Sequence, residues 1–427
     1  MRIEEMIFVS VDDHVVEPPD MFEGRLPAKY AAMAPHVAQT EKGDDVWAFN
    51  GNQIPNIGLN AVAGRPREEY GIDPTSFDEM RQGCWDVHER VKDMSAGGVL
   101  GSMCFPSFPS FSGRLFANCE DKDLALAVTE AYNDWNIDGW CGAYPDRLIP
   151  MALPILWDPS LCADEIRRVA AKGCHAMTFT ENPAELCYPS FHDPHWDPMW
   201  RACVDEGVVV NIHLGSSGKL AVTAPDAPMD VMITLQPMNI CMAAADLVWS
   251  RVFKEFRDVK IALSEGGTGW IPYFLDRLDR TYDMHHRWTG QDFGDERPSD
   301  IFRRHILTCF IADPIGVQLR NEIGIDNICW EMDYPHSDSS WPRAPEEFAE
   351  VCTKYDVPDG DIDKMSHENA MRWYHFDPFS KRSRESCTVG ALRASVAGHD
   401  IAVRSFDTGR REKSKPDLGE MAKRATA

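Results

Sequence analysis

Residues 208–213, VVVNIH, and residues 260–267, KIALSEGG, flank a long amphipathic stretch at 237–256. Each flanking run is short, apolar and rich in β-branched residues, which indicates a buried strand, whereas the stretch between them has the length of a helix. A strand, a helix and a second strand in this order form the repeating unit of a parallel sheet. Each strand also ends in a residue that can bind a metal or carry a proton, His213 and Glu265.

The same alternation repeats along most of the chain. Eight β-rich runs lie at 7–11, 99–105, 148–156, 176–180, 208–212, 261–264, 306–311 and 328–331. The predicted helices include 85–96, 121–140, 163–171, 237–256, 270–280 and 317–323. Because each crossover helix must cover one face of a parallel sheet, the repeats favour an α/β fold of the (β/α)8 TIM-barrel type. An open doubly wound sheet is the structural alternative.

Two segments depart from this rhythm. Residues 27–82 are rich in Gly, Pro and Asn and predict an inserted loop or small β subdomain over the mouth of a barrel domain spanning 1–379. Residues 380–427 carry 11 Lys or Arg against 6 Asp or Glu and form a basic C-terminal extension. That extension is either a disordered end or an arm that docks on an acidic neighbouring subunit.

The composition narrows the range of partners and compartments. A formal net charge of −25 disfavours attraction to nucleic acid or to an anionic membrane, so we expect a small-molecule substrate or a protein partner. The thirteen cysteines lie singly with no CxxC pair, and the chain opens MRIEEMIF without an apolar signal core, which is typical of a cytoplasmic protein. No apolar run approaches the length of a membrane span, so no membrane segment is expected.

Barrel enzymes build their sites at the carboxyl ends of the strands, and here those ends are rich in carboxylates and imidazoles. The candidate metal ligands are Asp12, His14, Glu181, His213, Glu265, Asp333 and His336. Each residue alone has an ordinary structural explanation, because a lone acid often caps a helix and a lone histidine often packs in a core. Five strand ends presenting such groups to one face of a barrel favour a shared metal site.

These motifs carry a family resemblance. SVDDHVVEPPDMF (10–22), VVNIHLG (209–215), KIALSEGGTGWIPYFLDRLD (260–279) and WEMDYPHSDSSWP (330–342) resemble the amidohydrolase-related (amidohydrolase 2) branch of the amidohydrolase superfamily over residues 5–378. The resemblance implies a barrel in which Asp12, His14, His213 and Asp333 bind metal. Relatives of the decarboxylase and mononuclear hydrolase type usually have a histidine where this chain has Glu265. Glu265 is therefore expected to act as a base or as a ligand.

The charge of the site favours a pair of metal ions. Asp12, Glu181, Glu265 and Asp333 would bring four carboxylates into one pocket, and two divalent ions would balance them. A mixed carboxylate and imidazole set suits iron or manganese, with zinc as the alternative. The SEGG and DYPHSD elements resemble a small group of dinuclear enzymes that activate dioxygen for hydroxylation.

That resemblance implies that the candidate ligands are divided between two metal ions. Asp12, His14 and Asp333 would hold one ion, while His213, Glu265 and His336 would hold or border the second. Glu181 is the candidate bridge, and Glu265 and His336 are the candidate catalytic residues. No G-x-G-x-x-G follows the first strand and nothing resembles a flavin or nicotinamide site, so a separate reductase would supply electrons.

Two other functions remain open. One is a metal-dependent hydrolase or nonoxidative decarboxylase with a single zinc or manganese ion and Glu265 as base. The other is a catalytically silent metal-binding subunit that stabilises a related active chain. A homo- or hetero-oligomer is expected in either case, and the substrate is expected to be small and polar or carboxylate-bearing.

Overall fold

A computed structural model describes residues 1–55, 57–71 and 74–406 of the protein. Within them lie eleven strands: β1 (Val9–Val15), β2 (His36–Gln39), β3 (Asp45–Phe49), β4 (Asn52–Ile54), β5 (Gly101–Pro106), β6 (Leu148–Ile149), β7 (Ala176–Phe179), β8 (Val209–His213), β9 (Lys260–Ser264), β10 (Ile306–Phe310) and β11 (Ile328–Trp330). All eight predicted strands are present, as β1 and β5 to β11, although the run at 148–156 shortens to the two residues of β6.

These eight strands are parallel neighbours in chain order. One arc joins β1, β5 and β6, and a second arc joins β7 through β11. The arcs meet through a single parallel bridge between Ala152 and Met177 on one side. On the other side, the Asp333 amide donates to the Asp12 carbonyl at 2.8 Å, and the His14 amide donates to the Tyr334 carbonyl at 2.7 Å. The predicted α/β fold is confirmed, and the second joint lies within the candidate site.

Helices follow the strands and cover the sheet. Those among the described residues are α1 (Val87–Gly97), α2 (Arg114–Ala117), α3 (Lys122–Asp134), α4 (Pro159–Ala170), α5 (Asp197–Glu206), α6 (Met229–Leu235), α7 (Met238–Trp249), α8 (Val252–Glu255), α9 (Ile271–Thr289), α10 (Pro298–His305), α11 (Pro314–Gln318), α12 (Arg320–Ile323), α13 (Ala344–Lys354), α14 (Asp359–Asp363), α15 (Asn369–Trp373) and α16 (Val389–Ser395). Asp86, Asp121 and Asp158 cap α1, α3 and α4 by accepting from backbone amides of the first turn.

Two apolar clusters follow from this layering. Side chains that point into the ring of strands form an interior cluster that includes Val9, Met103, Ala262 and Leu307. A larger cluster fills the space between the strands and the helices. This cluster fills the interior of the barrel, and the polar residues of the site lie next to it at the carboxyl ends of the strands.

The segment predicted as an insertion contains the antiparallel sheet β2–β3–β4. Its Trp47 stacks on Phe108, in the loop after β5, with ring centroids 4.3 Å apart. The amides of Val62 and Ala63 donate to the Pro335 carbonyl in the loop after β11, at 2.9 and 3.0 Å. The segment therefore packs against loops at the carboxyl ends of the strands.

The C-terminal extension packs on its own chain as far as the structure describes it. Cys387 and Leu392 are buried against Ile7 and Leu100, near the amino ends of β1 and β5. Arg393 of α16 forms an ion pair with Glu346 at 2.6 Å. Residues 407–427 lie outside the described residues, and docking on a neighbouring subunit stays a prediction.

The thirteen cysteines, all within the described ranges, are free thiols. One stretch, Met229–Trp249, is long and apolar enough to cross a membrane by length and composition, with a mean hydropathy of 1.4. In the fold it comprises α6 and α7, and 39% of it is buried inside the protein. Such a stretch is weak support for a span, and the expected absence of a membrane segment stays a prediction.

Candidate metal centre

Four strands place the candidate ligands at one end of the barrel. Asp12 and His14 lie in β1, two residues apart, so both side chains point to the same side of the strand. His213 is the last residue of β8 and Glu265 follows β9 directly. Asp333 and His336 lie in the loop after β11.

These side chains converge on one another. His14 Nε2 lies 3.3 Å from Asp333 Oδ1, 3.6 Å from Asp12 Oδ1 and 3.2 Å from His213 Nε2. His213 Nε2 lies 3.1 Å from Glu265 Oε2 and 3.6 Å from Asp12 Oδ2. His336 Nδ1 lies 3.0 Å from Asp333 Oδ1. Two overlapping groups, Asp12 with His14 and His213, and His14 with Asp333 and His336, have ligand atoms within 4.8 Å of one another.

The donor atoms of these groups fit a divalent cation. Both carboxylate oxygens of Asp12 and of Asp333 are buried without a hydrogen-bond partner among the described residues. His213 Nδ1 lies 2.6 Å from the Leu214 carbonyl, so this nitrogen carries the proton and Nε2 presents a lone pair to the centre. Buried anionic oxygens that lack a donor are costly unless a cation compensates them.

Burial changes the protonation of the ligands in the absence of a cation. Desolvation, reinforced by Glu331, Glu265 and Asp333, raises the pKa of Asp12 well above its ordinary value. Desolvation also raises the pKa values of Glu265 and Asp333. The imidazoles shift the opposite way, because burial lowers the pKa of His213 to about 3 and that of His336 to about 4. Neutral imidazole is the form that binds metal.

Glu331 is a further carboxylate of the site and is not among the ligands predicted from the sequence. It is 1% exposed, its Oε2 accepts from the Glu265 amide at 3.3 Å, and its Oε1 has no hydrogen-bond partner in the described part of the chain. Burial and the neighbouring carboxylates raise its pKa well above the ordinary value. Its place at the end of the eighth predicted strand, two residues before Asp333, was the available signal.

Glu181 lies apart from the two groups. Its Oε1 accepts from the Ser217 hydroxyl at 2.7 Å and its Oε2 accepts from the Gly215 amide at 3.1 Å. Both oxygens therefore stabilise the loop after β8, and the bridging role of Glu181 stays a prediction. The sequence predicted four carboxylates at the centre, and replacing Glu181 by Glu331 in that set leaves the number at four.

Asp13 supports the site from the other face of β1. It accepts from Ser10 Oγ, from Ser102 Oγ and from the Tyr334 amide, and the charge of buried Arg90 lowers its pKa. Burial outweighs these effects and raises the pKa of Asp13 to about 6. Because its oxygens are already bonded, we assign Asp13 to holding β1 against the Asp333 loop.

Strained backbone and aromatic walls mark the same place. Glu265 and Asp333 adopt positive φ angles of 58° and 55°, which are uncommon for non-glycine residues and occur often at functional sites. Phe111 lies 4.2 Å from the His213 ring and Phe105 lies 4.8 Å from it, measured between centroids. The Glu265 side chain is 14% exposed, so the site opens to solvent on that side.

A cavity of about 410 Å³ lies at the opposite end of the barrel, lined by Val208, Lys260, Arg303 and Arg372 among others. It is at the amino ends of β8 and β9, where barrels build stability and not catalysis. We assign it no part in the chemistry of the metal centre.

Comparison with known proteins adds a family and a fold. A family model described as amidohydrolase matches residues 31–376, a range that includes His213, Glu265, Asp333 and His336 but starts after β1. An amidohydrolase from Mycobacterium avium subsp. paratuberculosis has a similar structure, with 19% identity and a TM-score of 0.66 over 86% of this chain and 99% of that chain.

Two decarboxylases have similar structures as well. A 5-carboxyvanillate decarboxylase from Sphingomonas paucimobilis has 18% identity and a TM-score of 0.60 over 87% of this chain and 100% of that chain. One from Novosphingobium aromaticivorans, solved with bound manganese, has 17% identity and a TM-score of 0.58 over 88% of this chain and 99% of that chain. At these identities, the likeness shows the shared fold.

Proposed function

The chain belongs to the amidohydrolase family, and from that premise we propose that it is a metal-dependent enzyme with a pair of iron or manganese ions that hydroxylates a small organic substrate with dioxygen. The observation that carries the proposal is a set of four carboxylates near three imidazoles: Asp12, Glu331 and Asp333 are buried, and Glu265 is 14% exposed at the opening. A single divalent ion would leave two of these negative charges buried and uncompensated, whereas a pair of divalent ions balances all four.

Asp12 is the residue best placed to serve both ions. Its Oδ1 lies 3.6 Å from His14 Nε2, and its Oδ2 lies 3.6 Å from His213 Nε2. A histidine nitrogen binds one ion, while a carboxylate can offer one oxygen to each of two ions. Asp12, which has one oxygen near each histidine, would help to hold the pair of ions together with His14, Asp333, His213 and Glu265.

His336 belongs with His14 and Asp333. Its Nδ1 is 3.0 Å from Asp333 Oδ1, and its ring stacks on the His14 ring with centroids 3.7 Å apart. This differs from the sequence-based assignment, which grouped His336 with His213 and Glu265. His336 would complete the ligands around Asp333 or orient that carboxylate.

The ligand chemistry favours redox-active ions. Centres with several carboxylates and a few histidines, and without thiolate, are typical of di-iron and di-manganese proteins. Such a pair of ions, when bound, supplies the sites at which dioxygen is reduced. The overall reaction inserts one oxygen atom into a C–H bond, and the other leaves as water after uptake of two electrons and two protons. A separate reductase is the proposed source of the electrons.

The remaining residues shape the pocket. Phe105 and Phe111 pack around His213 and exclude water from one side of the centre. Glu265 lines the opening, where a substrate would enter. In the metal-free protein, burial and the nearby Asp333 carboxyl raise the pKa of Glu265, so a bound cation would favour release of its proton.

A second candidate is nonoxidative decarboxylation or hydrolysis at a single zinc or manganese ion. It is favoured by the likeness to solved decarboxylases, one of them with bound manganese. Glu265, 14% exposed at the opening, would then act as a general base. The silent-subunit function and oligomerisation with a related chain also stay proposals, tested by turnover of the isolated chain and of mixtures.

The deciding experiment measures metal content and the reaction with dioxygen. The protein is loaded with Fe²⁺ without oxygen, freed of excess metal, analysed for iron, and mixed with dioxygen while iron oxidation is followed by absorbance. A pair of ions per chain, both oxidised by dioxygen, supports the proposal. A single iron ion per chain that does not react with dioxygen would overturn it in favour of the second candidate.

A further inference from the structure

We infer that residues 398–404, the C-terminal strap, are positioning residues for the loop between β11 and α13. This loop carries Asp333 and His336 and is named the metal loop. The strap begins after α16 and lies far from the ligands in sequence, yet hydrogen bonds link it to that loop by two routes. The inference rests on the proposed function in one respect, that Asp333 and His336 hold metal.

The first route runs through a buried carboxylate, Asp93 of α1. His399 Nε2 lies 2.7 Å from Asp93 Oδ1, and the Asp93 side chain is 2% exposed. The Tyr334 hydroxyl donates to Asp93 Oδ2 at 2.6 Å. Tyr334 directly follows Asp333, so His399 and the metal loop are held by the same carboxylate.

Arg81 reinforces this junction. It donates to both oxygens of Asp93, at 3.1 and 2.6 Å, and to the Asp400 carbonyl of the strap at 2.8 Å. Its guanidinium also lies 4.4 Å from the centroid of the Trp341 ring, near the end of the metal loop. Charge-assisted bonds between buried groups of this kind hold a geometry firmly.

The second route runs through the inserted segment. The Arg404 amide donates to the Gly64 carbonyl at 3.0 Å. Two neighbouring amides, of Val62 and Ala63, donate to the Pro335 carbonyl. The strap therefore holds the peptide 62–64, and this peptide holds Pro335, the residue before His336.

The metal loop needs such support. Asp333 has a positive φ of 55°, an uncommon conformation that its surroundings must stabilise. Tyr334 lies between the two ligands and is held on three sides, by Asp93 at its hydroxyl, by Asp13 at its amide and by His14 at its carbonyl. Groups that orient metal ligands typically change metal affinity by about 10- to 100-fold when removed.

The test compares full-length variants by the rate at which a chelator removes Mn²⁺ from loaded protein. His399→Ala is expected to release the metal severalfold faster than the wild type, below the about tenfold effect of removing a group bonded directly to a ligand. His399→Gln keeps an N–H donor near the position of Nε2 and should restore slow release. His192→Ala is the matched control, because His192 forms a comparable 2.6 Å pair with Asp246 on the surface, away from the metal loop.

A second readout needs no metal. Hydrogen exchange of the amides in 333–337, measured by mass spectrometry on metal-free protein, should be faster in His399→Ala than in the wild type or His192→Ala. If the wild type binds Mn²⁺ and His399→Ala matches it in both release rate and exchange, the inference is wrong. If the wild type binds no Mn²⁺, the proposed function fails, and the exchange comparison alone decides the role of the strap.

A double variant checks the route. Tyr334→Phe removes the hydroxyl that shares Asp93 with His399. If both residues act through that carboxylate, the fold-increase in the metal release rate of the double variant should be smaller than the product of the fold-increases of the two single variants. Fully multiplicative effects would overturn the Asp93 route.

Discussion

Replacing Glu265 by glutamine is expected to remove one ion of the proposed pair while leaving the other bound. Glutamine has nearly the same size, but it lacks the negative charge and one strong oxygen ligand. In the proposed centre, four carboxylates would balance a pair of divalent ions, whereas the variant would leave one positive charge uncompensated. The ion held by His213 and Glu265 should therefore be lost first.

The size of the effect follows from the separation of the charges. Glu265 Oε2 lies 3.1 Å from His213 Nε2, so both atoms can reach the same ion. Two unit charges about 4 Å apart attract by about 4 kcal/mol at an effective dielectric constant of about 20. Loss of that attraction corresponds to about a thousandfold weaker binding of the affected ion.

The assay is a titration of metal-free protein with Mn²⁺ or anaerobic Fe²⁺, followed by elemental analysis after removal of free metal. Glu181→Gln is the matched control, since Glu181 is also a buried glutamate at a strand end but is bonded to Ser217 and Gly215. It should keep both ions. Full retention of both ions at wild-type affinity in Glu265→Gln would refute the reasoning. Loss of one ion in Glu181→Gln would instead support the bridge suggested by the sequence.

Metal binding should release protons, because burial raises the pKa values of the four site carboxylates in the metal-free protein and bound carboxylates are deprotonated. Metal affinity should therefore rise with pH, and calorimetric heats should depend on the ionisation enthalpy of the buffer; equal heats in all buffers would contradict this. Burial raises the pKa of Glu17 to about 7 in the folded protein. The protonated carboxyl therefore stabilises the fold at a pH below the pKa that Glu17 has in the unfolded chain, and this stabilisation is lost as the pH rises through about 7. The free energy of unfolding, measured by urea titration, should fall by about 3 kcal/mol less between pH 5 and pH 8 in Glu17→Gln than in the wild type. An equal fall in both proteins would exclude Glu17 as its source. Gly83→Ala should lower stability by about 1–3 kcal/mol in thermal unfolding, because its Cβ would overlap Asp93 Oδ2 and lie 3.1 Å from the Tyr334 hydroxyl. Gly360→Ala, which meets nothing within 4 Å, is its control, and equal effects of the two variants would argue against the clash.

The elements that could be predicted from sequence are those with a local signal. Apolar runs of β-branched residues marked all eight barrel strands, including the buried β8 and β9. Boundaries were less accurate where tertiary contacts decide them. The predicted helix at 237–256 is divided into α7 and α8 around Ser250, and the run at 148–156 pairs as a strand over two residues only.

Candidate ligands were recognisable in the sequence because catalytic positions follow the strands of a parallel barrel at known places. Asp12, His14, His213, Glu265, Asp333 and His336 were named from that rule together with a family resemblance. Their metal binding still awaits measurement. Glu331 was missed, although its position at the end of the eighth predicted strand follows the same rule.

The order of the strands and the residues at their ends follow from the amino-acid pattern, because hydrophobic periodicity and strand termini are properties of neighbouring residues. The tertiary structure decided which of those residues meet. It placed Glu331 beside Glu265 and turned Glu181 toward Ser217, and it brought His399 to Asp93 across most of the chain. Contacts of this kind depend on loop conformation and on packing between distant segments, and no local pattern in the sequence encodes them.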